Sequence, residues 1–201
     1  MKSPSGVIGA VALVAIVVVA LVSTSGHKGT GAKGPPVGSQ TPPFAAPLAV
    51  SKLSGDVNIT PSACDVDLPG AFVSCDATKK GPMVVGFASV DDEECAKLQP
   101  SLNSVAAGLP GSTAVLVGLR GERKPLAKLA LAAPGVTTVW DRSGTLANRY
   151  GIAVCPTVVV VKKGGVVAGT LIGADVNDPK WLQSQVMDLT TESLPIPNQP
   201  K

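Results

Sequence analysis

Between residues 48 and 192 the sequence switches repeatedly between two periodicities, and that alternation confines the chain to an α/β fold, a mixed central sheet with flanking helices. PMVVGFAS (82–89) is a short apolar run with β-branched residues and predicts a buried strand. DDEECAKLQPSLNSVAAGL (91–109) opens on acids, carries apolar residues at helical spacing and ends near Gly108, so it predicts a helix, kinked at Pro100. TAVLVGLR (113–120) reads as a strand, KPLAKLALAAPG (124–135) as a helix stopped by Pro134 and Gly135, and VTTVW (136–140) as a strand. SGTLANRYG (143–151) is a short helix, TVVVVKKGGVVAGTLIG (157–173) two strands around a KKGG turn, and DPKWLQSQVMDLTTES (178–193) a closing helix with Asp178 as a candidate cap. The order β-α-β-α-β-α-β-β-α ends in a hairpin, which implies an antiparallel edge.

The flanks read differently. GVIGAVALVAIVVVALV, residues 6–22, is 17 residues without a charge after a five-residue flank, 1–5. Its length suits an uncleaved single-pass transmembrane anchor or the core of a signal peptide. Both export the domain, so the expected location is the cell membrane with the domain on the extracytoplasmic side. Residues 23–47 are rich in Gly, Pro, Ser and Thr and predict a flexible linker, followed by the folded domain at 48–192 and a loose tail at 193–201.

Composition excludes several functions. Net charge is +3 with no basic cluster, which gives no footprint for nucleic acid. The single histidine, His27, lies in the linker, so neither a His-based triad nor a His-containing metal site is expected. No cofactor is implied. Four cysteines in an exported domain permit disulfides.

Three stretches carry a resemblance. MVVGFAS followed by an acid-capped helix with an internal proline, then VWDRSGTLANRYGIAVCPTVVVV, then KKGGVVAGTLIG, together resemble the thioredoxin fold. They are most similar to the membrane-tethered, extracytoplasmic disulfide reductases related to the bacterial TlpA and ResA proteins. The resemblance implies that Pro156 is the cis-proline that starts a sheet strand beside the redox centre, with Cys155 facing the active-site helix. It also places a hairpin before the first core strand, where Cys64 and Cys75 enclose a Pro69-Gly70 turn, and a local disulfide between them is expected.

The same resemblance exposes a gap. Such reductases use Cys-x-x-Cys at the start of the active-site helix, where the first thiolate attacks and the second resolves. Here the corresponding residues are Asp92-Glu93-Glu94-Cys95, with Asp92 in the nucleophile position. A carboxylate cannot exchange disulfides, and Asp92 is suited to capping the helix. Two readings follow. Cys95 and Cys155 form an atypical redox pair that exchanges disulfides with exported protein thiols, Cys155 attacking because it stands farther from the acidic run. Alternatively, Cys95 is a buried remnant and the domain is a non-catalytic binding module. VCPT also surrounds the peroxidatic cysteine of peroxiredoxins, but that cysteine begins a helix and follows a Thr or Ser by three residues. Cys155 precedes a strand and has Ile152 at that spacing.

Overall fold

A computed structural model describes residues 33–191. The apolar run 6–22 and the tail from 192 lie outside the described residues, and no helix among the described residues is long and apolar enough to cross a membrane.

The strands are β1 (Ala45–Pro47), β2 (Ala71–Val73), β3 (Met83–Ala88), β4 (Thr113–Leu119), β5 (Val136–Asp141), β6 (Thr157–Val161) and β7 (Val167–Ile172). The α-helices are α1 (Ser74–Lys80), α2 (Glu93–Ala96), α3 (Leu98–Gly108), α4 (Arg123–Ala132), α5 (Thr145–Arg149) and α6 (Pro179–Thr191). The main sheet has the order β5-β4-β3-β6-β7, parallel from β5 to β3 and antiparallel from β3 to β7. This is the mixed sheet with a terminal antiparallel hairpin that the alternation predicts.

Every residue of β3 and of β6 is buried, because both faces of the sheet are covered. Strand alternation splits their side chains into two cores. Val84, Val158 and Val160 join Leu98, Leu102, Leu182 and Val186 from α3 and α6. Val85, Phe87, Val159 and Val161 join Phe44, Leu146 and Tyr150 on the opposite face. Gly86 lies on the first of these faces. A Cβ there would stand 2.7 Å from Leu102 and 2.8 Å from Leu98, so the glycine lets α3 lie close on the sheet.

The helix expected over 91–109 is broken. Pro100 has no N–H to give the carbonyl of Ala96, and its ring crowds that carbonyl. The chain therefore ends α2 at Ala96, steps through Lys97 and restarts with Pro100 in the first turn of α3, where a missing N–H costs least. Asp178 caps α6 as expected, accepting from the N–H groups of Lys180 (2.8 Å) and Trp181 (3.0 Å).

Residues 38–49, assigned mostly to the linker from composition, form a strap across the sheet. Gly38 N–H donates to Val167 O (2.9 Å), Val167 N–H to Ser39 O (2.9 Å), and Thr41 N–H to Gly165 O (2.8 Å) at the β7 edge. Leu48 bridges Val139, and Ala49 N–H donates to Thr138 O (2.9 Å), at the β5 edge. Between them Phe44 is fully buried, its ring 6.0 Å from Tyr150 and 5.6 Å from Phe72. The Tyr150 hydroxyl donates to Pro42 O and accepts from Thr41 Oγ1, both at 3.0 Å. One phenylalanine and one buried hydroxyl thus outweigh the loop-like composition around them.

The segment before β3 is not a local hairpin. β2 pairs antiparallel with β1 of the strap, and the chain turns directly into α1. Cys64, on a 3-10 turn (Pro61–Asp65), is bonded to Cys75 on α1, with Cα atoms 5.5 Å apart. Closing so short a loop contributes about 3 kcal/mol in the chain-entropy account.

Arg123, at the start of α4, clamps the loop that follows the strap. Its guanidinium donates to the carbonyls of Leu48 (2.6 Å), Ala49 (3.1 Å) and Leu53 and to Ser51 Oγ (2.8 Å), and lies 5.3 Å from the Trp140 ring centre. Arg123→Ala is expected to lower unfolding free energy by about 2–3 kcal/mol in urea titration, with Arg123→Lys restoring less than half, since an ammonium cannot reproduce the planar fork.

Candidate functional site

The antiparallel pairing of β3 with β6 puts the end of one strand beside the start of the other, with Phe87 opposite Thr157. The chain leaves β3 into α2 and enters β6 from Cys155 and Pro156, so both candidate cysteines arrive at one end of the sheet. The Cys155–Pro156 peptide bond is cis. Cys95 and Cys155, 60 residues apart in sequence, are joined in a disulfide with Cα atoms 5.5 Å apart.

Their environments differ. Cys95 is 1% exposed and sits in the core with Leu98 and Val158, whereas Cys155 is half-buried at the surface of that core. Asp92 caps α2 as expected: its side chain accepts from Cys95 N–H at 3.1 Å, and Ala96 N–H donates to its carbonyl at 2.9 Å. The Asp92 carboxylate and both sulfurs lie within 4.8 Å of one another. Cys155 is therefore close to Asp92, the first helix-capping acid, as Cys95 is, and the two sulfurs differ in exposure. The same three residues form a potential ligand set for a metal ion that spacing along the chain does not reveal. With the sulfurs bonded to each other, neither offers a thiolate. Asn177 Nδ2 donates to Glu94 O at 2.9 Å and ties the turn before α6 to α2.

A cleft of about 380 Å³ opens beside Cys155, lined among others by Asp91, Arg120, Asn148, Ile152 and Val154. Asp91 belongs to the acids expected at the start of the active-site helix, and Arg120 ends the stretch expected as a strand over 113–120. The sequence assigns neither residue a role at the site, since nothing local shows that β5 and α5 fold against Arg120.

Asp141 organises that wall. It is fully buried at the end of β5, and its carboxylate accepts from the N–H groups of Leu146 (3.2 Å) and Ala147 (3.0 Å) at the start of α5. Its carbonyl accepts from Arg120 N–H at 3.0 Å. Burial pushes its carboxyl above the usual carboxylate range, and the backbone N–H groups oppose that only in part.

The chain has a thioredoxin-like fold. No protein-family model matches the sequence, and no curated protein matches it. Solved structures do. A secreted Mycobacterium tuberculosis disulfide oxidoreductase homologous to E. coli DsbE aligns with a TM-score of 0.55 at 18% identity, over 71% of this chain and 93% of that one. A thiol:disulfide interchange protein of the thioredoxin family from Chlorobium tepidum gives 0.57 at 17% identity, over 78% and 99%. The peroxidoxin BcpB from Mycobacterium tuberculosis gives 0.55 at 15% identity, over 76% and 95%. At these identities what is shared is the fold.

Two outcomes are expected here. A buried Asp whose folded pKa is raised binds its proton more tightly folded than unfolded, so its contribution is most favourable at acid pH. That contribution is lost as pH rises from the ordinary carboxylate range through the raised folded value. The urea midpoint of wild type relative to Asp141→Asn should therefore decline with rising pH across that window and then level off. Asp92→Asn keeps a capping side chain but removes a charge that disfavours a thiolate on either sulfur. The reduction potential of the Cys95–Cys155 disulfide, titrated against a dithiol buffer, should rise by roughly 20 mV.

Proposed function

We propose that this chain is a thiol–disulfide oxidoreductase that works through Cys95 and Cys155 and is displayed outside the cytoplasm on a membrane tether formed by residues 6–22. The observation that carries the reading is a half-buried Cys155 on an open cleft, bonded to a Cys95 that is only 1% exposed. That asymmetry supplies a direction. An incoming thiolate attacks Cys155 Sγ, the Cys95–Cys155 bond breaks, and Cys95 leaves as a thiolate that takes a proton from solvent. The second thiol of the substrate then attacks the mixed disulfide and leaves with the substrate oxidised and the protein as a dithiol. In reverse, the Cys155 thiolate opens a substrate disulfide and Cys95 resolves it. The partners are the thiols and disulfides of exported proteins. The pairing of all four cysteines into two disulfides suits an oxidising compartment, as does the uncharged 17-residue segment at the N-terminus.

A peroxidase is disfavoured by local structure, since Cys155 leads into β6 and not into a helix N-terminus that would activate a peroxidatic thiolate. A non-catalytic binding module draws support from one observation: Asp92, which the resemblance sets against the attacking cysteine of such reductases, caps α2 with its carboxylate.

Turnover of insulin disulfides with dithiothreitol separates the readings. The wild-type protein should accelerate reduction, Cys155→Ser should return it to background, and Cys95→Ser should accumulate substrate disulfide-bonded to Cys155, detected by mass spectrometry. Background activity in the wild type, with no trapped species in Cys95→Ser, would leave the binding module.

A further inference from the structure

The cleft beside Cys155 carries two charged side chains that the exchange step leaves unused. Arg120 has φ of 55°, in the left-handed region that a long side chain rarely adopts. Its Nε lies 3.4 Å from where a Cβ of Gly144 would stand, an ordinary contact distance that places the side chain along the Gly144 wall of the cleft. The Arg120 guanidinium has no hydrogen bond or ion pair with any described residue. Asp91 lines the same cleft, with Oδ2 3.0 Å from the equivalent point on Gly121, and its carboxylate is also unpartnered. No ion pair joins the two. One exposed, unpartnered cation and one exposed, unpartnered anion therefore border the same space, next to Cys155.

We propose that this cleft is a subsite for a small α-amino-acid thiol of the cysteine class, its carboxylate on Arg120, its ammonium towards Asp91 and its sulfur at Cys155. This rests on the redox reading given above. The volume, about 380 Å³, is at the small end of small-molecule sites and suits a ligand of amino-acid size. Arg120 offers a partner to a carboxylate and Asp91 one to an ammonium, so an amino-acid zwitterion meets both, whereas a purely anionic thiol also meets the exposed run Asp91, Asp92, Glu93 and Glu94 unfavourably. Ile152 and Val154 supply apolar surface for the methylene between. A cysteine inside a polypeptide has neither free charge next to its sulfur and leaves both side chains idle.

The chemistry balances with two equivalents. One amino-acid thiolate attacks Cys155 Sγ, forming a mixed disulfide and releasing Cys95, which is protonated from solvent. A second attacks the sulfur of the first, forming the amino-acid disulfide and releasing Cys155. Two thiols are oxidised by two electrons in all and the protein disulfide is reduced by two.

The test is the rate at which the oxidised full-length chain, in detergent, is reduced by cysteine, N-acetylcysteine, cysteamine and 2-mercaptoethanol. Each rate is corrected for thiolate concentration and divided by the rate with di(2-hydroxyethyl) disulfide. Alkylation of Cys95 and Cys155, followed by mass spectrometry, gives the readout. Cysteine should exceed 2-mercaptoethanol by roughly three- to fivefold, the range a partly exposed ion pair supports. Arg120→Ala should remove that preference and Arg120→Lys should keep part of it. Equal corrected rates for all four thiols, or a preference that survives Arg120→Ala, would overturn the subsite while leaving the redox pair standing. A disulfide that no thiol reduces, dithiothreitol included, would overturn both.

Discussion

The ladder between β3 and β6 brings the two cysteines of the site together. Because the two strands are antiparallel and Phe87 faces Thr157, the exit from one and the entrance to the other fall at the same end of the sheet. That register is held by burial on both faces: a shift of one residue would move Val158 and Val160 into the core that Val159 and Val161 fill, and the reverse. The meeting of Cys95 and Cys155 is thus a consequence of valine packing rather than of any signal near either cysteine.

Around that meeting point, charge and access oppose each other. Acids at the start of α2 disfavour thiolates, and Asp92 is close to both sulfurs. Access separates the two sulfurs, since Cys95, carried on α2, is buried in the core with Leu98 and Val158 while Cys155 borders the cleft. A pair taken from two different elements therefore still has an outer and an inner member, as a pair within one helix turn would. The acidic cap stabilises the helix that carries the inner sulfur and at the same time makes the disulfide harder to reduce.

The order of elements from β3 onward was legible because each is short, strongly patterned and bounded by Gly, Pro or a capping acid. What was not legible depended on distant partners. Phe44 lies in a Pro-rich stretch whose composition argues for disorder, and partners distant in sequence, Phe72 and Tyr150, give its ring a place. The break at Lys97 was foreseeable in kind from Pro100, but its position depends on which carbonyl loses its donor. Cys155 could be matched to Cys95 through the resemblance, whereas Arg120 and Asp91 could not be placed, because the cleft between them exists only once β4, β5 and α5 are assembled.

The strap at 38–49 has a consequence beyond packing. A sheet edge exposes unpaired N–H and C=O groups that can recruit a strand from another molecule. Here one stretch of chain reaches both edges, pairing with Val167 and Gly165 at one side and with Val139 and Thr138 at the other. The protein thereby covers one end of each of its own sheet borders with a stretch of the same chain, so those dozen residues guard against edge-to-edge association as well as closing the core.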